Sequence, residues 1–283
     1  MTIYLLTTGC SANTLERTAL LEAACALRGI ACVLVESTTA DYLALPEPQP
    51  GDALYNTTRD GLRLEELLWR PGVATFYADN QPPRGIQDTT RWLAAHTRAG
   101  LVQPRTLHHA TADRALLTRY VAHLGGFPVV LKVAGGTLGT GVMRADSWPA
   151  LLSLVDYLVA TGTEFILREY LPSTRTGRLL VIGNQVVGGL EYDTPPDDFR
   201  TNAASALPPR LTHFTAEVEA LAVASAAAIG MELAGVDVLF DERGQAYLLE
   251  SNMPCGFATF PKLGLDVPGM MVAYLAAKAE RLR

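Results

Sequence analysis

The chain has 283 residues, 49% of them hydrophobic and 18% charged, with a formal net charge of −6. This is a soluble, globular composition with room for one large core or several small lobes, and its acidity argues against a sequence-independent nucleic-acid binder. No uncharged apolar run reaches the roughly 18 residues that span a bilayer, so no membrane role is expected, and Met1-Thr-Ile-Tyr-Leu-Leu lacks the basic start of a signal peptide. The four cysteines, Cys10, Cys25, Cys32 and Cys255, form no CxxC pair. Each is expected to be a small buried hydrophobe in a reducing cytoplasm.

Thr2–Thr8 reads as a buried strand, Thr14–Arg28 as a helix stopped by Gly29, and Ala31–Val35 as a second strand. Strand–helix–strand of this length implies a parallel βαβ unit. Its first loop, Gly9-Cys-Ser-Ala-Asn, lacks the GxGxxG fingerprint, so no cofactor is placed there. Asp52–Asn56 reads as a strand and Arg59–Trp69 as a helix; the proline- and glycine-rich stretch Pro71–Ile86 reads as a boundary. Helices are expected over Asp88–Ala99 and from an N-cap at Thr111 to Leu124. Val129–Val133 and Gly141–Ala145 read as strands flanking a glycine-rich loop, and Ser147 caps a helix over Trp148–Thr161. Strands follow at Phe165–Tyr170, Arg178–Ile182 and Val186–Tyr192. Asp193–Arg210, polar and proline-bearing, reads as a mobile loop; Thr215 caps an alanine-rich helix to Ile229, and a last helix covers about Gly269–Leu282.

Two stretches carry chemistry. Ala234–Phe257 reads as a hairpin: Val236, Val238 and Phe240 alternate with Asp237, Leu239 and Asp241, Glu242-Arg243-Gly244-Gln245 turns the chain, and Ala246–Asn252 returns. With four turn residues unpaired, Asp241 faces Ala246 and Asp237 faces Glu250, which shares a face with Asn252. Facing carboxylates are destabilising unless a cation joins them, and Mg²⁺ is held by one or two carboxylates plus phosphates. Scattered acids on a wet face would give the same pattern. In the second stretch, FPVVLKVAGGTLGTGV (Phe127–Val142), Lys132 sits in an apolar strand and requires an anionic partner. The loop Gly135–Gly141 can bring backbone N–H groups to phosphate oxygens, though tight turns select glycine too and no GK[ST] closes it.

Together these stretches resemble the ATP-grasp superfamily, with most likeness to its RimK- and LysX-like amino-acid ligases. The likeness runs from about Arg91 to the C-terminus. It includes QPRTL, FPVVLK, GGTLGTGV, FILREYL, RLLVIGNQVVGGLE, FRTNAA, AGVDVL and LLESN in that order. It implies an α/β and α+β ATP-grasp fold: an N-terminal open α/β domain (1–84), a first α+β lobe (85–166) and a second (167–283) that clamp ATP.

By resemblance, Lys132 contacts the nucleotide phosphates, and Gly135, Gly136, Thr137, Gly139 and Gly141 form the lid over them. Glu169, Tyr170 and Leu171 meet adenine. Asp237, Glu250 and Asn252 hold Mg²⁺, with Mn²⁺ as its substitute. Arg178 stands with Lys132 as catalytic, near the transferred phosphate, while Arg200 and Asn202 face substrate. Three departures stand out. Thr176-Gly177-Arg178 replaces Asp-Ile-Arg, Asp88-Thr89-Thr90 lacks a lysine after the aspartate, and Ala-Ala-Ser-Ala follows Asn202 in place of an Arg-Gly-Gly ending.

The implied activity is an ADP-forming carboxylate–amine ligase working through an acyl phosphate on an amino acid, peptide or carrier-bound carboxylate. Asp193, Asp197 and Asp198 are base candidates by position alone. The alternatives are a peptide-cyclising enzyme forming esters or amides, and a nucleotide-binding regulatory protein without turnover. The substrate is a small molecule or peptide, and a homo-oligomer is left open. Among the remaining residues, Arg168, Arg175, His96, His123 and His213 read as surface or capping groups, the pair His108-His109 has no metal role, and Trp69, Trp92 and Trp148 read as core.

Overall fold

A computed structural model describes residues 1–9, 11–58, 61–82, 89–109, 111–133, 139–195, 198–200 and 208–283, with the backbone alone at 89–91. The chain begins as strand–helix–strand: β1 (Thr2–Thr7), α1 (Ala12–Ala26), β2 (Ala31–Glu36), then β3 (Ala53–Asn56) and α2 (Leu62–Leu68). β2, β1 and β3 form a parallel sheet in that order, as the βαβ pattern requires. Alternation along β1 divides its residues between two cores. Tyr4 and Leu6 pack with α2, while Ile3 and Leu5 pack with α1 and the last helix.

Next come α3 (Thr89–Arg98), β4 (Thr106–Leu107), α4 (Arg114–His123), β5 (Val129–Val133), β6 (Val142–Ala145), α5 (Trp148–Ala160) and β7 (Phe165–Glu169). The strands form an antiparallel sheet ordered β4-β7-β5-β6, with α4 and α5 over one face. Thr111 is not the cap of α4. Asp113 is, its side chain accepting from the Leu116 N–H at 2.9 Å. Thr111 instead bonds the Asp113 N–H through its hydroxyl, one step upstream.

The third sheet is the largest. β8 (Arg175–Ile182), β9 (Gln185–Asp193), β10 (Arg210–Leu211), α6 (Ala216–Ala228), β11 (Leu233–Phe240) and β12 (Ala246–Asn252) precede α7 (Thr259–Lys262) and α8 (Val267–Arg281). The strands run in the order β10-β9-β8-β11-β12. Leu179, Val181, Val236, Val238, Phe240, Ala246 and Leu248 all point to the α6 side. On the opposite side, Leu180, Ile182 and Leu233 join the core of β1, α1 and α8. Lys278 of α8 pins that junction, donating to the Thr75 and Tyr77 carbonyls at 3.0 and 2.7 Å and pairing with Glu232.

His96 is not a surface residue. It is fully buried on α3, with Nε2 at 3.2 Å from the Ser225 carbonyl and 3.4 Å from the Ser251 hydroxyl, behind β12. Trp92 is core, at 8% exposure. Cys25 and Cys255 are buried and Cys32 is half-buried, all three as free thiols.

Glu65 is a buried acid on α2, 1% exposed, accepting from Asn56 Nδ2 and Tyr77 Oη at 3.2 Å each. Burial pushes its carboxyl up to about 7, against the two hydrogen bonds. A folded-state pKa above the unfolded one means the stability it supports is present at low pH and is lost as pH rises through about 7. Glu65→Gln should therefore match the parent near pH 4 and exceed it by about 3 kcal/mol at pH 8. Urea unfolding at the two pH values checks this, and equal gains at both would contradict it.

Candidate active site

The first and second antiparallel sheets face each other across a cavity of about 650 Å³, a volume typical of small-ligand sites. Period-two alternation puts the site into it. In β5, Val129 and Leu131 enter the α4–α5 core, so Val130 and Lys132 face the cavity. In β7, Phe165 and Leu167 enter the same core, which turns Arg168 the other way.

Across the second antiparallel sheet, Arg178 on β8 pairs with Asp237 on β11, and Asp237 pairs with Glu250 on β12. The hairpin reaches that register by two compensating steps. The turn is one residue longer than expected, since Phe240, not Asp241, faces Ala246. Asp241 closes it, its carboxylate accepting from the Arg243 and Gln245 N–H groups. A β-bulge between Asp237 and Val238 then leaves Leu249 without a partner on β11 and restores Asp237 to Glu250. The bulge has a second effect. Ala246 and Leu248 face α6, so strict alternation would send Glu250 there too. With the extra residue, Glu250 faces the cavity, while Ser251 is buried against Ser225 of α6 at 3.0 Å.

The charged groups compensate one another. Arg178 grips Asp237 with Nε–Oδ1 at 2.5 Å and Nη2–Oδ2 at 2.8 Å. Lys132 Nζ is ion-paired with Glu250 across the two sheets. Asn252 Nδ2 donates to Glu250 Oε1 at 3.0 Å and lies 3.5 Å from Asp237 Oδ2. Burial raises the Asp237 carboxyl, with Arg178 opposing it in part. At Glu250 burial also acts upward, but Lys132, the Asn252 hydrogen bond and Arg178 together outweigh it and the carboxyl falls to about 2. Arg178 is held above its ordinary value because Asp237 overcomes desolvation. Each acid is thus matched by a cation that phosphates would also attract.

The donor chemistry fits a hard cation. Two adjacent carboxylates and an amide oxygen are what Mg²⁺ or Mn²⁺ takes together with substrate phosphates. Among the described residues no cluster of three or more His, Cys, Asp or Glu could hold a metal by itself.

Other expected residues fall around this row. Glu169, Tyr170 and Leu171 line the cavity where β7 ends. The Glu169 carboxylate is already bound, by the Arg105 N–H and Nε at 2.6 Å each. The Tyr170 ring lies 5.0 Å below the Arg144 guanidinium and edge-on to Phe199. Arg200 lines the cavity, is held by the Asp198 carboxylate and donates to the Gly139 carbonyl at 3.2 Å, bridging to the end of the glycine loop. Gly141 has φ +78°, and a Cβ there would sit 2.2 Å from Val133 Cγ2, so only glycine fits. Gly135, Gly136, Thr137, Asn202 and Asp197 lie outside the described residues. Of the other base candidates, Asp193 and Asp198 are each bound by an arginine, Arg210 and Arg200, which holds each carboxyl below its usual value.

The departure at Thr176-Gly177 has a packing counterpart. A Cβ on Gly177 would meet Phe214 Cζ at 2.7 Å, and one on Gly189 would meet Phe214 Cε2 at 2.7 Å. Phe214 thus fills the slot between the two glycines and stacks on Phe240.

Two cavity residues escaped the sequence reading. Arg168, expected at the surface, is 6% exposed; its charge suggested solvent, but its alternation with Phe165 and Leu167 was the usable signal. Burial pushes its guanidinium down to about 10, against the fields of Glu250 and Glu169. Arg17 of α1 lines the far end of the cavity with Asn13, Glu16, Thr259 and Lys262, donating to the Cys255 carbonyl at 3.4 Å. No motif marks it. Arg175 is half-exposed, pairing with Glu191 and capping the Phe240 ring at 4.2 Å.

Two antiparallel sheets closed on a lysine, an arginine and an acid–acid–amide set define the ATP-grasp fold. A model of the RimK-like ATP-grasp domain matches residues 88–275. The protein named "Probable alpha-L-glutamate ligase" of Enterobacter sp. (strain 638) is 31% identical over 197 residues, 68% of this chain. That match spans 64% of the relative's own length. Among solved structures, D-cycloserine synthetase DcsG has a TM-score of 0.72 at 18% identity and covers 100% of both chains. ATP-grasp ligase PsnB, complexed with minimal precursor, has 0.70 at 20%, covering 98% of this chain and 99% of that one. The chain belongs to the RimK-like ATP-grasp family. No helix among the described residues is long and apolar enough to cross a membrane.

Proposed function

We propose that the protein is an ADP-forming carboxylate–amine ligase that makes an amide or peptide bond through an acyl phosphate, with an amino acid such as L-glutamate among its substrates. The observation that carries this reading is the row Arg178–Asp237–Glu250–Lys132 running across one cavity from the second antiparallel sheet to the first, with Asn252 beside it. Its division into units at 1–84, 85–166 and 167–283 follows the same reading, with ATP held between the last two.

In this account the ATP phosphates draw Lys132 from Glu250 and Arg178 towards the γ-phosphate, which frees both carboxylates and Asn252 for Mg²⁺. When bound there, Mg²⁺ neutralises charge on the phosphate oxygens. A substrate carboxylate oxygen attacks the γ-phosphorus, the bond to the bridging oxygen breaks and ADP leaves. Lys132 and Arg178 balance the charge that builds up, so catalysis is mainly positioning and electrostatics. The amine then attacks the acyl carbon, loses a proton and expels phosphate. Arg200, spanning to Gly139, closes the cavity against water, which would otherwise consume the acyl phosphate. Arg17 and Lys262, which line the same cavity, suit the carboxylates of the substrates.

An ADP-release screen pairing amino acids and short peptides, followed by product masses, tests this. ADP should accumulate over many turnovers only when carboxylate and amine are both present, with a product equal to their sum less one water. A single peptide that loses water would mark the enzyme as peptide-cyclising. ATP binding without ADP release across the panel would overturn the ligase reading and leave a regulatory nucleotide binder.

A further inference from the structure

Arg168 touches none of the four charged groups directly, yet it reaches the backbone that aims one of them. Its Nη1 donates to the carbonyl of Leu249 at 3.1 Å. Leu249 is the residue that the bulge leaves without a partner on β11, so its carbonyl requires a donor from elsewhere. Nε of the same guanidinium donates to Thr106 Oγ1 at 2.9 Å, and Thr106 lies opposite Arg168 in the β4–β7 pair. The guanidinium is therefore fixed on its own sheet and holds the bulge of the facing one. The third arm, Nη2, is buried without an acceptor among the described residues. A neutral donor would hold the carbonyl without that unmet group, so the charge itself calls for a use. Two carboxylates lie in its field, Glu169 and Glu250. Glu169 has Arg105 as its partner. The partner of Glu250 is Lys132, the cation that substrate phosphates would compete for.

We propose that Arg168 is a positioning residue for the metal site, fixing the bulged Leu249 carbonyl so that the Glu250 carboxylate points at the cation, and supplying buried positive charge behind Glu250 once Lys132 turns to phosphate. This rests on the reading of Asp237 and Glu250 as ligands of the cation. It assigns a function to an arginine outside the acid–acid–amide set.

Mn²⁺ is the probe, its binding to the protein–ADP complex followed by the loss of the free-ion electron paramagnetic resonance signal. Arg168→Met keeps the length and removes both donors and charge. It should weaken Mn²⁺ binding on the order of tenfold or more, as loss of groups that orient metal ligands does, and by a larger factor than it weakens ADP binding without metal. Arg168→Lys, which keeps a charge and one donor, should recover part of the loss, and Thr106→Val should give a smaller loss in the same direction. Mn²⁺ affinity equal to the parent's in Arg168→Met, with only a lower melting temperature, would overturn the proposal and leave a structural strut. If Arg168→Met does not fold, Arg168→Lys and Thr106→Val decide: weaker Mn²⁺ binding in both sustains the proposal, parent-like binding in both overturns it. Absence of Mn²⁺ binding in the parent itself would overturn the metal reading, and this proposal with it, whereas the ligand reading survives if only the variants behave like the parent.

Discussion

Asp237→Asn and Glu250→Gln should each lower ligase turnover by at least about 10²-fold while leaving the fold intact. The two substitutions keep the side-chain volumes on β11 and β12 and replace one charged oxygen with an amide nitrogen. Each retains an oxygen that can accept from Arg178 or Lys132, although Asp237→Asn gives up one of the two bonds of the Arg178 grip. What is lost is half of the paired negative charge that a divalent cation requires. The Mg²⁺ concentration for half-maximal rate should rise in both variants, more than the KM for ATP does. Alanine at either position is a harsher change, because it leaves a cavity-facing cation without its partner, at a cost of about 3–5 kcal/mol for a buried pair. Near-normal turnover in both amide variants would remove the metal assignment.

Lys132→Met and Arg178→Met should separate two kinds of phosphate contact. Lys132 comes from the first antiparallel sheet and would meet phosphate oxygens present in ATP itself, so its loss should raise the KM for ATP as well as lower kcat. Arg178 would meet charge that grows as the phosphoryl group moves, so its loss should lower kcat on the order of 10²–10³-fold with KM little changed. Arg178→Lys should not restore the rate, since a guanidinium can meet two phosphate oxygens at once and an ammonium cannot. Steady-state kinetics with varied ATP at saturating Mg²⁺ checks the contrast. Equal KM effects in both variants would contradict the division of roles.

Much of this was legible because strand alternation is strict. An apolar strand with one lysine, Val129–Val133, has only two faces, and the core claims Val129 and Leu131. The same reasoning exposes Arg168, but charge was weighed above position there, and the side chain is buried. His96 was misjudged for a related reason: its neighbours Ser225 and Ser251 come from distant segments, and their meeting depends on packing of α3 against β12 that no local pattern encodes. The Asp237–Glu250 pairing was found by counting from a four-residue turn. It holds because the longer turn and the bulge offset each other, and neither leaves a clear mark in the sequence. The two-residue strands β4 and β10 are too short to show a period. Arg17 belongs to a helix without a motif and reaches the cavity only because α1 and α8 share a core.

The central claim is that a substrate carboxylate takes the γ-phosphoryl group before the amine arrives. The direct measurement uses a carboxylate substrate carrying ¹⁸O in both oxygens, with ATP, Mg²⁺ and amine, followed by ³¹P NMR of the released phosphate. Transfer through an acyl phosphate leaves one ¹⁸O in inorganic phosphate for each amide formed, with ADP as the other product. Amide formation that yields unlabelled phosphate, or AMP and pyrophosphate, would contradict the account.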